Sequence, residues 1–363
     1  MMNSSIFHET LDNETLKMLR NDAISITLPV VYSLVVFINL PGNAFSLWLL
    51  FFHTKPKTPS VIFMINLSIT DIAVGIFLPF QIAYHINNNH WIFGSYLCNL
   101  VTVSFYANMY SSILTMTFIS VERYLGVVHP MTSVKWRRSR YAVATCMGMW
   151  AILLIVLYPL ESTDLTFEVK SLGIITCFDV LKWSMLPTIH AWAAFLITLF
   201  VFLFLIPFIV TVACYIGIIR KLIQTSNRYG NGQKRRSIHL AAIVLLVFIT
   251  CFTPNNCILL LHTVSRLFYH KSYYPAYKLS LTISCLSSCL DPFIYYFASK
   301  EFYQKFKQLV VRKSLYSEAT EARRDSLFSA RSMSARSMTF SSGHGEGLET
   351  GKNSLIHRQQ SIL

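Results

Sequence analysis

Charged residues are scarce in this chain, and acids are the scarcer kind. Of its 363 residues only 13% are Asp, Glu, Lys or Arg, and the stretch from Ile72 to Val121 contains none of the four. A soluble domain carries about 25% charged residues, so an ordinary soluble fold is excluded. Because 53% of the residues are hydrophobic, the composition indicates a membrane protein. The net charge of +14 comes without the basic face of a soluble fold, so no nucleic-acid partner is expected.

Motifs of the common enzyme classes are missing as well. The sequence has no His/Cys cluster with metal-ligand spacing, no phosphate-binding loop and no nucleophile elbow. We therefore expect neither enzymatic activity nor a catalytic cofactor. Residues 1–22 also lack the apolar core of a signal peptide, and the first apolar stretch is expected to act as its own insertion signal.

Long apolar stretches are what the sequence has in abundance. About 20 helical residues cross the hydrocarbon core of a bilayer, and lipid cannot satisfy the backbone polar groups of an open, irregular segment. The sequence therefore predicts an all-α membrane protein built as a seven-transmembrane helix bundle. The predicted spans are 25–52, 60–86, 96–122, 141–160, 187–219, 238–264 and 274–298.

The basic residues predict how these spans are oriented. The loops 53–59, 123–140 and 220–237 contain Lys and Arg but no acid, whereas the long loop 161–186 mixes both signs. Cytoplasmic loops are the ones enriched in Lys and Arg, so we expect an extracellular N-terminus and a cytosolic C-terminus in the plasma membrane. Glycosylation sequons at Asn3 and Asn13 agree with this orientation.

Composition also changes outside the spans. We divide the chain into an extracellular N-terminus (1–24), the bundle (25–298), an amphipathic membrane-surface helix (299–312) and a disordered cytosolic tail (313–363). In the tail, Ser326 follows a pair of arginines, and Ser329 and Ser332 are further candidate phosphorylation sites for arrestin recruitment. The last three residues fit a PDZ ligand.

Two sets of residues in or beside the spans predict specific contacts. Of eight cysteines only Cys98 and Cys177 fall near the outer face, which favours one disulfide between them over two free thiols. Asp71 and Asp291 are the only acids deep within spans. Carboxylates at this depth form a proton relay, a cation site or a polar hinge, or they bond helices together, and their spacing does not decide among these.

Short motifs now give the chain a family resemblance. Glu122-Arg123-Tyr124 closes the third span, Asp291-Pro292 opens a motif completed by Tyr295 in the seventh, and Cys251-Phe252-Thr253-Pro254 lies in the sixth. With Gly42-Asn43 and Trp150, these motifs resemble the rhodopsin-like (class A) G-protein-coupled receptors, in particular the purinoceptor and lipid-receptor branch. A photoreceptor or ion pump is disfavoured, because no lysine lies midway along the seventh span. A transporter is a more distant alternative.

The resemblance implies roles for individual residues. Arg123 would bind the C-terminus of Gα once the sixth span swings outward, and Tyr215 and Tyr295 would then close on it. Phe252 would be the toggle residue, and Lys234 stands where some members carry an acid that locks the arginine. The coupling and activation set is Glu122, Arg123, Tyr124, Tyr215, Asp291, Pro292, Tyr295, Ile113, Pro207, Phe248 and Phe252. The implied sodium site is Asp71, Asn108, Ser112 and Asp291.

Three residues that differ from the family pattern affect which ligand is expected. Nucleotide-binding purinoceptors carry basic or histidine residues where this chain has Asn256, Leu259 and Leu281, so the phosphate-binding set is incomplete. We therefore expect an anionic amphiphile, such as a lipid or lipid conjugate, with a nucleotide as the alternative. Cations near the outer mouth would bind its head, and aromatic walls its tail. The candidate ligand-binding residues are Tyr32, Tyr84, Tyr106, Tyr110, Lys182, Asn256, His262, Arg266, Tyr277 and Lys278.

Intracellular partners follow from the same resemblance. A heterotrimeric G protein, receptor kinases and arrestin are implied. Lipid-receptor relatives in this branch often couple to the Rho-activating twelve/thirteen class of Gα, which is therefore the class expected here.

Overall fold

The computed structural model describes residues 16–17, 19–20, 22–135, 137–178, 188–229, 232–269, 273–298 and 307–308. Seven long helices run through this part of the chain, which confirms the predicted bundle. They are α1 (Asp22–Trp48, continued by a π-helical turn Leu49–His53), α2 (Pro59–Ile86), α3 (Gly94–Val128), α4 (Ser139–Ser162), α5 (Ile189–Ile197, a π-helical segment Thr198–Leu205 and Ile206–Tyr229), α6 (Gly232–Tyr269) and α7 (Tyr274–Ala298).

Helix ends follow local chemistry rather than the edges of the apolar stretches. At the start of α2, Thr58 Oγ1 accepts a hydrogen bond from the backbone N–H of Val61, and Pro59 occupies the first helical position, which are preferred N-terminal features. The C-terminal end of α3 lies six residues past the predicted boundary, at Val128. Pro130 disfavours helical geometry at His129, so the arginine of the third span lies inside a helix and not at its end.

Within the described part of the chain, the two helices with the largest numbers of buried polar residues are also the two without a strongly apolar stretch. Among the described residues, α1, α2, α4, α5 and α6 contain stretches long and apolar enough to cross a membrane, namely Ser25–His53, Pro59–Ile86, Ser139–Ser162, His190–Thr225 and Ser237–Ser265. Helices α3 and α7 do not reach that level. Half of α3 is buried among the other helices, including most of its Asn, Ser and Thr side chains, so neighbours rather than lipid surround its polar face.

Small and polar residues bring α1 close to α2 and α7. A Cβ on Gly75 would lie 2.7 Å from Leu40 Cδ2, so only glycine fits there. Asn39 Nδ2 donates to the backbone carbonyl of Asp71 (2.6 Å), and Asn43 Nδ2 donates to that of Ser288 (2.8 Å). Close approach through small residues and interhelical hydrogen bonds is how membrane helices associate.

The loop 161–186 contains a β-hairpin between α4 and α5, which the sequence analysis did not predict. Strand β1 (Thr166–Val169) pairs antiparallel with β2 (Ile174–Cys177), with Thr166 opposite Cys177. The turn contains Gly173 at φ +63°, a conformation that glycine adopts without strain. The β-branched residues of β2 favour the extended chain.

The chain divides into two units after Phe306, the first ending at that residue and the second being Lys307–Leu363. Of the second unit the structure describes only Lys307 and Gln308, both helical. The remainder of the predicted surface helix 299–312, the tail 313–363 and the phosphorylation sites Ser326, Ser329 and Ser332 lie outside the described residues. So do Asn3 and Asn13 near the N-terminus.

Candidate functional site

A disulfide joins the hairpin to the first turns of α3. Cys98 and Cys177 are bonded, with their Cα atoms 5.7 Å apart, which confirms the predicted pairing. Because Cys177 ends β2 and Cys98 lies in the second turn of α3, the disulfide fixes the end of the hairpin over one end of the bundle. We call this the disulfide end.

Polar contacts on both sides of the disulfide hold the hairpin in place. Asn99 Nδ2 donates to the carbonyl oxygens of Glu161 (2.9 Å) and Thr163 (2.7 Å), and its Oδ1 accepts from the N–H of Leu165 (3.2 Å). On the other side, the N–H of Ile175 donates to His90 Nδ1 (2.9 Å). The hairpin is therefore tied to α3, to the end of α4 and to the α2–α3 connection.

Under the hairpin lies an amphipathic cavity of about 370 Å³, counted to its open mouth. Much of this volume is open space at the mouth, so the enclosed cavity is smaller than formed ligand sites, which measure about 300–1,000 Å³. Its walls combine aromatic rings with a few polar groups. The lining residues are Tyr32, Gln81, Thr102, Phe105, Tyr106, Cys177, Phe178, Tyr274, Tyr277, Lys278 and Leu281.

Tyrosine hydroxyls cross the cavity between α3 and α7. The hydroxyl groups of Tyr106 and Tyr277 are hydrogen-bonded to each other. Phe178, the first residue after β2, packs edge-on against Tyr106 with ring centroids 5.6 Å apart, and its carbonyl accepts a hydrogen bond from Tyr274 Oη (3.0 Å). The disulfide thus places Phe178 over the tyrosine pair, and the hairpin, α3 and α7 meet at this point.

A buried cation lies in the same wall. Lys278 is 5% exposed, and its Nζ is 5.8 Å from the ring centroid of Tyr84, within the range of a cation–π contact. His262 stacks on Tyr277 with centroids 6.4 Å apart, and its Nδ1 accepts from the N–H of Tyr273 (3.0 Å). The cavity thus offers a positive charge beside aromatic and apolar surface.

The structure brings together part of the predicted ligand set. Tyr32, Tyr106, Tyr277 and Lys278 line the cavity, while Tyr84, Tyr110 and His262 lie one layer behind. Asn256 is buried outside the lining, and its Nδ2 donates to the carbonyl of Phe252. Lys182 lies outside the described residues, as does the side chain of Arg266. Sequence reasoning had not included Gln81, Thr102, Phe105, Phe178 and Tyr274, although Phe178 directly follows a disulfide cysteine.

At the opposite end of α3, the Arg123 side chain reaches a second cavity. This cavity measures about 320 Å³ and is otherwise mostly apolar. Arg123 is partly buried and has no ion pair within the described part of the chain. Its neighbours in the lining are Met64, Leu67, Met116, Ile119, Tyr215, Val244 and Ile294.

The acid next to Arg123 is engaged elsewhere. Glu122 Oε1 accepts hydrogen bonds from Nε (2.7 Å) and a terminal nitrogen (2.5 Å) of Arg137, which lies between a 3₁₀ turn (Thr132–Lys135) and α4. Ser60 of α2 donates to the other carboxylate oxygen (2.5 Å). A Cβ on Gly126 would lie 3.0 Å from Arg137 Cζ, so the missing side chain at Gly126 leaves room for the guanidinium.

Aromatic packing surrounds the proline of α5. Phe248 and Phe252 of α6 have ring centroids 5.4 Å apart, and Phe248 also stacks on Phe208, the residue after Pro207. Thr117 Oγ1 donates to the carbonyl of Ile113 (2.8 Å) and lies 2.9 Å from Thr211 Oγ1. Helices α3, α5 and α6 therefore meet at three residues of the implied activation set, which we call the connector: Ile113, Pro207 and Phe248.

The remaining coupling residues lie nearer the Arg123 end. The Tyr124 ring packs so closely on α5 that a Cβ on Gly217 would lie 2.5 Å from it. Tyr215 is buried beside Arg123. Tyr295 belongs to α7, but its side chain is outside the described residues. Pro292 of α7 touches the Gly42 position of α1.

Buried oxygen atoms between α2, α3 and α7 fit a small cation. Asp71 Oδ1 accepts a hydrogen bond from Asn108 Nδ2 (2.9 Å), and Asp291 is close enough to Asp71 for the two carboxyl groups to interact electrostatically. In the described structure Asp71 Oδ2, Ser112 Oγ and both carboxylate oxygens of Asp291 have no hydrogen-bond partner. Hard cations prefer oxygen ligands of this kind. The sodium site that the resemblance implies stays a prediction for these residues.

Comparison with known proteins assigns the chain to a family. A family model described as "7 transmembrane receptor (rhodopsin family)" matches residues 42–295. A receptor of Gallus gallus named purinoceptor 8 is 69% identical over 97% of this chain and 98% of its own length. The S-geranylgeranyl-glutathione receptor P2RY8 of Homo sapiens is 58% identical over the same shares. Proteinase-activated receptor 2 of Bos taurus is 35% identical over 92% of this chain and 83% of its own length.

Proposed function

We propose that this chain, which belongs to the rhodopsin family of seven-transmembrane receptors, is activated by an extracellular anionic lipid conjugate of the same class as S-geranylgeranyl-glutathione. As a member of that family it is a multi-pass membrane protein and a G-protein-coupled receptor, not an enzyme. The observation that carries the proposal is the 58% identity, over nearly the full length of both chains, to the human receptor named for that ligand.

The chemistry of the cavity at the disulfide end supports this ligand class. Lys278 supplies the cation for an acidic head group, and the hydroxyl groups of Tyr106 and Tyr277 supply hydrogen bonds. Phe105 and Leu281 supply apolar wall. A nucleotide would need several cations around its phosphates, whereas one of the two carboxylates of a glutathione head is balanced by the ammonium group of the head itself.

The disulfide end would face the extracellular side, because the acid-free basic loops all lie at the Arg123 end. In the same arrangement residues 1–24 would be extracellular and glycosylated at Asn3 and Asn13, and 299–312 and 313–363 would be cytosolic. Sodium at Asp71, Asn108, Ser112 and Asp291 would favour the resting state.

Agonist binding would work by differential affinity for two states of the bundle. The ligand would bind more tightly when α6 is displaced outward around Pro254, with Phe252 and the connector of Ile113, Pro207 and Phe248 repacking. That displacement would open the Arg123 cavity, beside Tyr124 and Tyr215, to the C-terminus of Gα. Tyr215 and Tyr295 would then close on Arg123. The expected G protein is of the twelve/thirteen class. Receptor kinases, arrestin and a PDZ protein would bind the tail.

The test is a panel of Gα-dissociation sensors in cells that express the chain. Cells receive S-geranylgeranyl-glutathione or a set of nucleoside di- and triphosphates in parallel. We expect a response to the lipid conjugate alone, strongest for the twelve/thirteen sensors. Arg123→Ala should lose the response while keeping ligand binding, and Lys278→Met should lower potency by about ten-fold or more, because it removes the charged partner of the head.

A nucleotide is the second candidate, favoured by the 69% identity to a receptor named a purinoceptor. It is disfavoured by Asn256, Leu259 and Leu281, which stand where a phosphate site would need cations or histidine. Leu281 lines the cavity, so this replacement lies in the site itself. A response to nucleotides but not to the lipid conjugate would overturn the proposed ligand class.

A further inference from the structure

Three hydroxyl groups form a line along one face of α3. Thr102, Tyr106 and Tyr110 are four residues apart and therefore share a face of the helix. All three are buried, with at most 3% of each residue exposed. Thr102 and Tyr106 line the cavity at the disulfide end, and Tyr110 stacks one turn deeper against Tyr106, with ring centroids 6.4 Å apart.

The two outer hydroxyl groups of this line, those of Thr102 and Tyr110, lack hydrogen-bond partners in the described structure. By contrast, the Tyr106 hydroxyl between them is bonded to Tyr277 of α7. Buried hydroxyl groups are normally paired, and leaving one unpaired is costly. Tyr110 lies one layer behind the cavity, so a polar ligand would satisfy both groups only by reaching along α3 past the Tyr106 side chain.

The length of the line matches a short peptide. Eight residues separate Thr102 from Tyr110, which corresponds to about 12 Å at 1.5 Å per residue. Three fully extended residues span about 10 Å, and each offers an amide donor and acceptor. Lys278, next to Tyr277 in the chain, lines the same cavity and presents a cation for a carboxylate of such a peptide.

We propose that Thr102, Tyr106 and Tyr110 form a subsite that binds a peptide-like head group of about three residues lengthwise, with Lys278 taking one of its carboxylates. The Tyr106–Tyr277 hydrogen bond closes the subsite before the ligand binds, and the head opens it by taking over the Tyr106 hydroxyl. The apolar tail then lies against Phe105 and Leu281. This assignment rests on the proposed function, since it concerns the head of the same ligand.

The test removes the two outer hydroxyls with little change in shape, as Thr102→Val and Tyr110→Phe. Each variant should raise the EC50 for S-geranylgeranyl-glutathione by about three- to ten-fold, as expected for one lost hydrogen bond. Each should also reduce the ligand-induced rise in the Tm of the purified receptor. The Tm without ligand should stay the same or increase, because an unpaired buried hydroxyl has been removed.

Matched controls make the same chemical changes in α4, at half-buried Thr145 (Thr145→Val) and exposed Tyr158 (Tyr158→Phe), and should leave the EC50 unchanged. S-geranylgeranyl-cysteine serves as a second ligand with the same tail and a one-residue head. We expect it to be weak or inactive on the natural chain, and the two variants should affect it less than the glutathione conjugate.

Two results separate failure of the subsite from failure of the proposed function. If the natural chain responds to the glutathione conjugate but both variants respond with unchanged EC50, or if both conjugates are weakened equally, the subsite is wrong and the proposed ligand class stands. If the natural chain responds only to nucleotides, the proposed ligand class itself is wrong.

Discussion

At the scale of single residues, the adjacent Glu122 and Arg123 have different partners. Glu122 is bonded to Arg137 and Ser60, while Arg123 faces the second cavity without an ion pair in the described part of the chain. The acid therefore holds the α3–α4 connection against α2 and α3. Its carboxylate is not available to the neighbouring arginine, and the sequence offers Lys234 in place of a locking acid. Elevated ligand-free signalling stays a prediction of this arrangement.

Gly126 provides a test of the Glu122–Arg137 pair. Alanine stabilises a helix by about 1 kcal/mol relative to glycine, so Gly148→Ala, where a Cβ would meet nothing within 4 Å, should raise the Tm by about 2 °C or more. Gly126→Ala should show little or no rise, because its Cβ displaces the Arg137 guanidinium from Glu122. The measurement is thermal unfolding of the purified receptor.

The double variant Gly126→Ala with Arg137→Ala completes this experiment. Once the guanidinium is absent, the added methyl displaces nothing, and the stabilising effect of alanine should return relative to Arg137→Ala alone. Equal rises for Gly126→Ala and Gly148→Ala would contradict the proposed role of Gly126 in seating Arg137.

Some contacts of single residues could be predicted from the sequence and others could not. The Cys98–Cys177 pair could be predicted because two thiols alone fall near the outer face. The partner of Glu122 could not, since its contact with Arg137 joins residues in a helix and a following loop whose path no periodicity reveals. Thr102 and Phe105 were missed because polar and aromatic residues occur all along α3, and only the positions of α7 and the hairpin decide which of them line the cavity.

At the scale of elements, the hairpin β1–β2 acts as a fixed cover over the cavity. The disulfide holds its end to α3, Asn99 holds the α4–β1 connection, and Phe178 follows β2 onto Tyr106. Because the cover is attached on several sides, a ligand is expected to enter beside it rather than by lifting it.

Asn99 is the residue at which this cover can be loosened without breaking the disulfide. Asn99→Ala leaves two carbonyl oxygens and one N–H without their partner, at a cost of about 1–3 kcal/mol for each group that stays buried. We expect faster hydrogen exchange in residues 161–178, a lower Tm and weaker ligand binding. Asn87→Ala, at an exposed turn where a single bond to the carbonyl of His90 is lost, serves as the control. Unchanged exchange in the hairpin would contradict the proposed role of Asn99.

The seven helices could be predicted because each contains a long stretch with few or no charged residues, but the hairpin could not. Residues 166–169 and 174–177 are short, and the charges in this loop mask their alternation. Their pairing depends on the disulfide and on contacts with the α2–α3 connection, which are long-range. The continuation of α3 beyond residue 122 could not be predicted either. The first charged residues after an apolar stretch show where the chain leaves the lipid, but they do not show where the helix ends.

At the scale of the whole molecule, the two cavities lie near opposite ends of α3. Thr102 and Arg123 are 21 positions apart, which corresponds to about 30 Å. Below the first cavity, Asn255 Nδ2 donates to Met109 Sδ (2.8 Å) and its Oδ1 accepts from Ser280 (3.3 Å). One side chain of α6, next to Pro254, thus contacts both helices that carry the tyrosine pair, and a change in that pair can reach α6 directly.

The carboxylates of Asp71 and Asp291 provide a test of coupling across the bundle. If sodium binds there in the resting state, replacing choline by sodium should lower agonist affinity, and coupling energies of this kind correspond to about five-fold or more. Asp71→Asn should remove the effect, whereas Glu168→Gln, an exposed site on β1, should keep it. Radioligand competition in the two salts measures this directly. A sodium effect that persists in Asp71→Asn would place the ion elsewhere.

The modest apolarity of α3 and α7 has a consequence for biosynthesis. A translocon releases a segment into lipid according to its own hydrophobicity, and neither of these helices reaches the level of the other five. They should therefore remain beside the translocon until neighbouring helices have emerged and can shield their polar faces. Substitutions that disturb this polar interior should appear first as receptor retained in the endoplasmic reticulum, and only secondarily as a change in signalling at the cell surface.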